Sequence, residues 1–432
     1  MVRPPGPRPA PLAGVRALRR EPLELLSRLA SYGDIASFRI GPNAGYFLNH
    51  PEYAKQVLVT DNHDFMKGRA LQEAKRIVGE GLLTSEGEFH RRQRRLIQPI
   101  FHHDRIASYA DVMVSYSERA SDRWRDGEMR DVYQDMVRLT MAIVAKTLFD
   151  TDLEAGDARE VGEALSVAIR MFERYARPFA GLVEHLPLPA NRRFRRAREG
   201  LDAIVYGMIE HRRAAGATGD DLLSLLLQAQ DEGFGMTDRQ VRDETMTLFL
   251  AGHETTANAL TWTWYLLSQN PEAEARLHEE VDHVAGQRLP YTETVFAEAM
   301  RLFPPAYGIG RRALRDVEIG GYVIPERSLV VMSQWVMHRD VRWFPEPERF
   351  LPECFTEAAK AERPRFAYFP FGGGPRVCIG EPFAWMEGVL VLATIARRWR
   401  MRPVPGHTVT PSPRITLRPR DGMPMIVERR HV

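Results

Sequence analysis

Apolar residues recur at helical spacing along most of this chain. Segments near 70–79, 87–98, 104–125, 131–149, 157–176, 192–213, 221–231, 237–269, 271–285 and 292–302 carry them at i, i+3 and i+4. The longest, 237–269, has Thr237 placed to cap its start and Asn270-Pro271 to stop it. Strand-like runs are fewer: 35–40 (IASFRI), 44–49 (AGYFLN), 317–324 (VEIGGYVI) and 328–333 (SLVVMS), with a terminal hairpin expected near 414–428. Long polar linkers and internal repeats are absent after residue 20. The pattern predicts one large domain over 21–432, mainly α with a minor β region contributed by both ends of the sequence. Residues 1–20 are proline-rich and basic and are expected to lie extended on the surface or to be disordered. They contain no apolar run of signal-peptide or membrane-span length, so no membrane span is expected.

Composition narrows the function classes. Of 432 residues, 44% are hydrophobic, enough for a large core, and 59 basic residues face 57 acidic ones for a net charge of +2. That balance argues against a general nucleic-acid binder, which carries a clear basic excess. Two cysteines, Cys354 and Cys378, can form neither a disulfide framework nor a four-cysteine zinc site. A single bridge between them is open but unsupported, and a reducing, cytoplasmic setting is the simpler reading.

Cys378 closes an unusual stretch, FGGGPRVCIG at 371–380. The glycines at 372–374 allow positive φ and close approach to a flat partner, and Pro375 stiffens the turn. The following IGEPFAWMEGVLVLATIARRW reads as a helix, which puts Cys378 at its N-terminal end, where backbone N–H groups favour a thiolate. Arg376 stands ready for a second anion. A rigid thiolate beside an arginine suits a metal ligand whose cofactor carries carboxylates, and haem meets both needs. The ordinary alternative for a lone cysteine is a buried free thiol next to a glycine turn.

The full pattern Phe371-x-x-Gly374-x-Arg376-x-Cys378-x-Gly380 is more specific. It closely resembles the cysteine-ligand loop of cytochrome P450, the haem-thiolate monooxygenases, and the resemblance runs from about residue 30 to the C-terminus. It implies a single-domain cytochrome P450 fold and a haem b whose axial ligand is the Cys378 thiolate, with O2 as co-substrate. Phe371, Gly372 and Gly380 would shape the loop around that cofactor.

Three further stretches fit the resemblance. FLAGHETTANAL at 249–260 places a glycine and two threonines inside the long helix, where glycine costs about 1 kcal/mol. Threonine side chains bond back to the preceding turn, and a local opening of the helix is expected there. This looks like the family's oxygen-activation motif. Thr255 would help deliver protons to dioxygen and Glu254 would support the relay, while Ala251 and Gly252 would keep space clear beside the cofactor. EAMR at 298–301 pairs Glu298 with Arg301 on one helix face. The family pattern makes this a buried structural network with an arginine of PEPERF (345–350) as third member, here Arg349. In EFHRRQRRLIQPIF (88–101), His90 and Arg94 project from one helix face. By resemblance both donate to haem propionates, and so does Arg311 of GRRAL, with Arg312 its rival. Taken alone, a His and an Arg at that spacing are a solvated basic face.

The neighbouring Arg91, Arg92 and Arg95, with Arg397, Arg398 and Arg400, either solubilise the surface or steer an acidic electron donor. No flavin domain is visible, so the expected reductant is a separate ferredoxin or flavodoxin served by an NAD(P)H reductase. Pocket positions follow from the family layout: Leu83, Leu248, Ala251, Ala306, Tyr307, Ile309, Ile415 and Thr416. Most are apolar, which implies a lipophilic substrate such as a terpenoid, fatty acid, steroid or polyketide. Two other readings are a peroxide-using haem-thiolate enzyme, which would not need the Glu254/Thr255 pair, and a haem-based sensor. Two departures from the family are Arg327, where many members have glycine, and HRDV at 338–341 in place of His-Arg-Asp-Pro.

Overall fold

The computed structural model describes residues 3–7, 21–41, 43–152, 188–214, 216, 219, 221–228, 230–231, 234–283 and 288–431. Its centre is the long helix Asp238–Gln269. Thr237 accepts from Gln240 N (3.3 Å) and Gln240 Oε1 accepts from Thr237 N (2.8 Å), a reciprocal cap. The helix is buried on nearly every side, from Val241 to Leu267, which is why its sequence shows little amphipathicity. It packs against Val132–Phe149, where the Thr140 hydroxyl donates to His253 O (2.9 Å). A Cβ on Gly252 would stand 3.3 Å from Val144, so glycine lets the two helices approach closely. Trp262 stacks on Phe303 at 4.2 Å and extends the same core.

The minor β region does join both ends of the chain. A five-stranded sheet runs in the order Ile35–Ile40, Asn43–Leu48, Leu329–Met332, Ile309–Ala313, Phe65–Lys67. Its pairings are antiparallel except Asn43–Leu48 with Leu329–Met332. Residues 3–7 lie along the first strand: Ser37 N donates to Pro5 O (2.7 Å) and the Ser37 hydroxyl to Pro4 O (2.8 Å).

Several expected elements are subdivided. The 70–79 helix is two short pieces, Arg69–Glu73 and Lys75–Val78, and 104–125 is split into His103–Ala107 and Ala110–Ser121. The Ser108 hydroxyl donates to Arg105 O (2.7 Å), a local bond that competes with helix continuation. The 221–231 helix stops at Gln228. VEIGGYVI folds back at Gly320 and Gly321, both at positive φ, into a hairpin of Val317–Ile319 and Tyr322–Ile324. The single terminal hairpin near 414–428 is not formed. Pro411–Pro413 pairs with Leu417–Pro419, while Pro424–Arg429 joins Trp399–Pro403 and Glu128–Asp131. Prolines without N–H donors keep these pairings short. The expected helix at 157–176 lies outside the described residues. Arg327 occupies the left-handed region at φ 68, so the turn keeps a glycine-type backbone despite its side chain.

Candidate active site

The cysteine loop is built from close approaches. Gly372 and Gly374 have positive φ, whereas Gly373 is extended. A Cβ on Gly374 would sit 1.8 Å from Leu58 O, and one on Gly373 would enter the Phe366 ring. Cys378 N donates to Phe371 O (3.0 Å), closing the loop, and Gly380 caps the helix Glu381–Ala396. Phe371 lies against Trp385 with ring centroids 6.0 Å apart. Burial pushes the Cys378 thiol up and the Glu381 carboxylate adds to this, while the N–H groups of Gly380 and Glu381, and Arg94, pull the other way. Cys378 is nevertheless accessible. An atom both accessible and closely surrounded by protein lines a recess.

Positive groups converge beside this loop. His90 and Arg94 sit one turn apart on the helix Gly87–Ile97. Arg94 Nη1 donates to Val377 O (2.8 Å), tying that helix to the cysteine loop. Arg376 Nη1 donates to Ser85 O (2.8 Å) and Nη2 pairs with Glu86. Arg311 is buried whereas Arg312 is exposed, because neighbours on a strand face opposite sides. A lysine not foreseen in the sequence completes the cluster. Lys67 Nζ donates to Leu82 O (2.9 Å) and to Leu83 O, and the sheet register sets Lys67 directly opposite Arg311. Its sequence signal was weak: one cation ending a three-residue strand, FMK.

The cluster is under electrostatic stress. Burial, with repulsion from Arg376, pushes Lys67 down to about 7 and Arg311 down to about 10. Burial and the cations Arg376, Lys67 and Arg94 push His90 down to about 3, so its imidazole is neutral. Glu244 faces the same lysine, yet burial pushes it up to about 8, leaving Glu86 as the main counter-charge. Like charges in facing register are unfavourable, and a surplus of donors fits a ligand with two carboxylates, as the haem propionates supply. These residues therefore fit the cofactor.

The FLAGHETTANAL segment lies within the long helix. Ala251 is exposed, and Phe249, Leu250, Gly252 and Thr255 are half-buried. The Thr255 hydroxyl donates to Ala251 O (2.7 Å) and that of Thr256 to Gly252 O (3.3 Å). The expected local opening is not seen: the segment remains α-helical, with both hydroxyls satisfied on the preceding turn. Glu254 is buried and accepts from the Thr416 hydroxyl (2.8 Å).

The expected pocket positions divide. Leu83, Ala251, Ala306 and Ile415 are exposed, and Tyr307 and Ile309 are half-buried. The Tyr307 hydroxyl donates to Arg414 O (2.8 Å). Leu248 and Thr416 are buried, Leu248 in the main core and Thr416 in the contact with Glu254, so neither presents a free pocket surface.

Glu298 and Arg301 are fully buried, with Nε to Oε2 at 2.6 Å and Nη2 to Oε1 at 2.7 Å. The remaining Arg301 donors meet the carbonyls of His338 (2.9 Å), Pro347 (2.7 Å) and Arg349 (2.8 Å). Arg349 thus joins through its backbone. Its guanidinium is exposed and pairs with Glu346, correcting the expectation of a three-side-chain network. A second residue not foreseen in the sequence is Glu387, on the helix after Cys378. It is fully buried with neither carboxylate oxygen hydrogen-bonded, and burial holds it well above the carboxylate range against a weaker pull from Thr256.

A mainly helical single domain, with an accessible cysteine at a helix start beside a cluster of donors, defines the haem-thiolate class. The family profile of Cytochrome P450 matches residues 4–423. Cyclooctatin synthase of Streptomyces melanosporofaciens is 44% identical over 94% of this chain and 92% of its own length. Cyclooctat-9-en-7-ol 5-monooxygenase of the same organism is 39% identical (93% and 90%), and pentalenene oxygenase of Streptomyces avermitilis 34% (91% and 90%). Among solved structures, the cytochrome P450DA heme domain superposes with a TM-score of 0.88 at 26% identity, covering 99% of this chain and 98% of that one. A 6-coordinated P450 from Thermus thermophilus gives 0.76 at 27% identity (94% and 98%). The chain belongs to the cytochrome P450 family. It is a haem-thiolate monooxygenase that takes a lipophilic substrate and needs a redox partner. Among the described residues, no helix is long and apolar enough to cross a membrane.

Proposed function

We propose that this enzyme hydroxylates a cyclic terpenoid in secondary metabolism, with Cys378 as the iron ligand. The reading is carried by the apolar character of the exposed pocket positions, Leu83, Ala251, Ala306 and Ile415. No charged anchor for a polar head group is among them, and the Streptomyces relatives are enzymes of terpenoid modification. A bound haem supplies the redox chemistry: O2, two electrons and two protons convert R–H to R–OH and water. Lys67, His90, Arg94, Arg311 and Arg376 would hold its carboxylates, with His90 donating as a neutral imidazole. Phe371, Gly372 and Gly380 shape the loop around the sulfur. Ala251 and Gly252 leave room beside the reacting centre. Glu254 and Thr255 move protons inward, Thr255 by turning its hydroxyl off the Ala251 carbonyl. That pair supports monooxygenation over a peroxide-driven reaction. Glu298, Arg301 and the Arg349 backbone hold the fold beneath the cysteine loop.

The electrons come from a cytoplasmic ferredoxin or flavodoxin kept reduced by an NAD(P)H reductase. The basic surface proposed to receive it is partly neutralised, since Arg91 pairs with Glu88, Arg398 with Asp122 and Arg400 with Glu428. The test is spectral titration of the haem spin state with cyclic sesquiterpenes and diterpenes, against fatty acids and steroids. Terpenoids are expected to shift the spectrum and to turn over with a ferredoxin system but not with hydrogen peroxide. A shift by fatty acids or steroids alone would overturn the substrate class. A reduced carbon monoxide complex without the red-shifted thiolate absorption would overturn the ligand.

A further inference from the structure

The long helix grips one short hairpin with three residues spaced four apart. Glu254 Oε1 accepts from the Thr416 hydroxyl (2.8 Å), Asn258 Nδ2 donates to the same Thr416 oxygen (3.2 Å), and Trp262 Nε1 donates to Leu417 O (3.0 Å). That spacing puts all three on one helix face. The hairpin is also held by the segment 305–307, where Leu417 N donates to Pro305 O (2.9 Å) and Tyr307 Oη to Arg414 O (2.8 Å). Thr416 is buried, while its neighbour Ile415 is 37% exposed, and Ala306 beside Pro305 is exposed too. One tightly held turn thus carries an exposed side chain at an expected pocket position and a hydroxyl bound to the acid of the oxygen-activation segment. Asn258 also donates to Glu254 O (2.9 Å), so the hydroxyl cannot swing aside without disturbing a second bond to the same helix turn.

The geometry points to Thr416 as a positioning residue that aims Glu254 for proton delivery and links substrate fit at Ile415 to that aim. This rests on the proposed relay role of Glu254. The Thr416 hydroxyl donates its only proton to Oε1, which fixes the carboxylate plane and leaves Oε2 to pass protons toward Thr255. Thr416 itself makes and breaks no bond in the reaction. A well-fitting substrate holds the hairpin in place and keeps the acid aimed. Without a seated substrate the same contact relaxes and the relay loses its aim, so that O2, two electrons and two protons taken from bulk water leave as hydrogen peroxide in place of product.

The test compares Thr416→Val, which keeps the shape and removes the hydroxyl, with Thr416→Ser, which keeps the hydroxyl, and with Glu254→Gln. In Thr416→Val, product formed per NAD(P)H is expected to fall about 10-fold, the loss of one hydrogen bond. Hydrogen peroxide and the solvent deuterium isotope effect are expected to rise, and Thr416→Ser is expected to restore both. The carbon–oxygen stretch of the reduced carbon monoxide complex should lose its sensitivity to substrate in Thr416→Val, a readout independent of turnover. Adding Thr416→Val to Glu254→Gln should cause no further loss. If Glu254→Gln uncouples and Thr416→Val does not, the positioning role is wrong. If Glu254→Gln has no effect, the relay reading fails first. Should Thr416→Val not load haem, Thr416→Ala carries the same comparison, and normal coupling in it refutes the proposal.

Discussion

Lys67 and Arg311 stand directly opposite each other across an antiparallel strand pair, two basic side chains in one cross-strand contact. Such a pair is unfavourable without an anion between or beside its members. Arg311 is therefore expected to bind cofactor carboxylate while Arg312, on the other face, does not. Arg311→Ala should speed haem loss by about 10- to 100-fold, the worth of one charge-assisted hydrogen bond. Arg312→Ala should leave the rate unchanged. Haem transfer to apomyoglobin, followed by absorbance, measures both. Equal rates in the two variants would refute the assignment.

Arg301 uses every N–H it has on protein acceptors, and Arg349 contributes only a carbonyl. Arg301→Ala leaves Glu298 buried and unpaired and should cost about 3–5 kcal/mol. Arg301→Lys should not rescue it, since an ammonium cannot span these acceptors. Arg349→Ala should leave the melting temperature at the wild-type value. Thermal melts of the three variants decide the point.

Glu244 accepts from Leu82 N (2.9 Å) with its other oxygen buried and unpaired. Burial raises it from an ordinary 4.5 to about 8. A raised acid binds its proton more tightly when folded, so its stabilising contribution is full below about 4.5 and is lost as pH rises to about 8. Glu244→Gln should flatten the decline in stability across that window. Urea denaturation at pH 6 and pH 9 of both proteins tests it, and an equal decline would refute it.

Arg327 holds φ 68 with its side chain exposed and its N–H bonded to Ala313 O (2.9 Å). A left-handed non-glycine costs about 1–2 kcal/mol, partly offset by the entropy a glycine loses on folding. Arg327→Gly should therefore stabilise the protein by about 0.5–1 kcal/mol. A lower melting temperature in this variant would show that the turn is not strained.

Much of the site was legible because its signals are local. Thr237, Asn270 and Pro271 mark the ends of the long helix by their own backbone preferences, and the bounds Asp238–Gln269 follow. Glu298 and Arg301 share a helix face by spacing alone. Lys67, Glu86 and the three carbonyls that Arg301 meets beyond Glu298 were not legible. Their contacts join segments far apart in the chain, and strand register and loop path set them.

The sequence by itself determined the helices, the tight cysteine turn and the family, because dihedral preference, apolar periodicity and glycine placement act within a few residues. Only the tertiary structure decided that Arg311 rather than Arg312 turns inward, that Arg349 offers a carbonyl, and that Glu254 is held by Thr416. Those choices depend on which faces of distant elements are buried together, and no short stretch of chain encodes that.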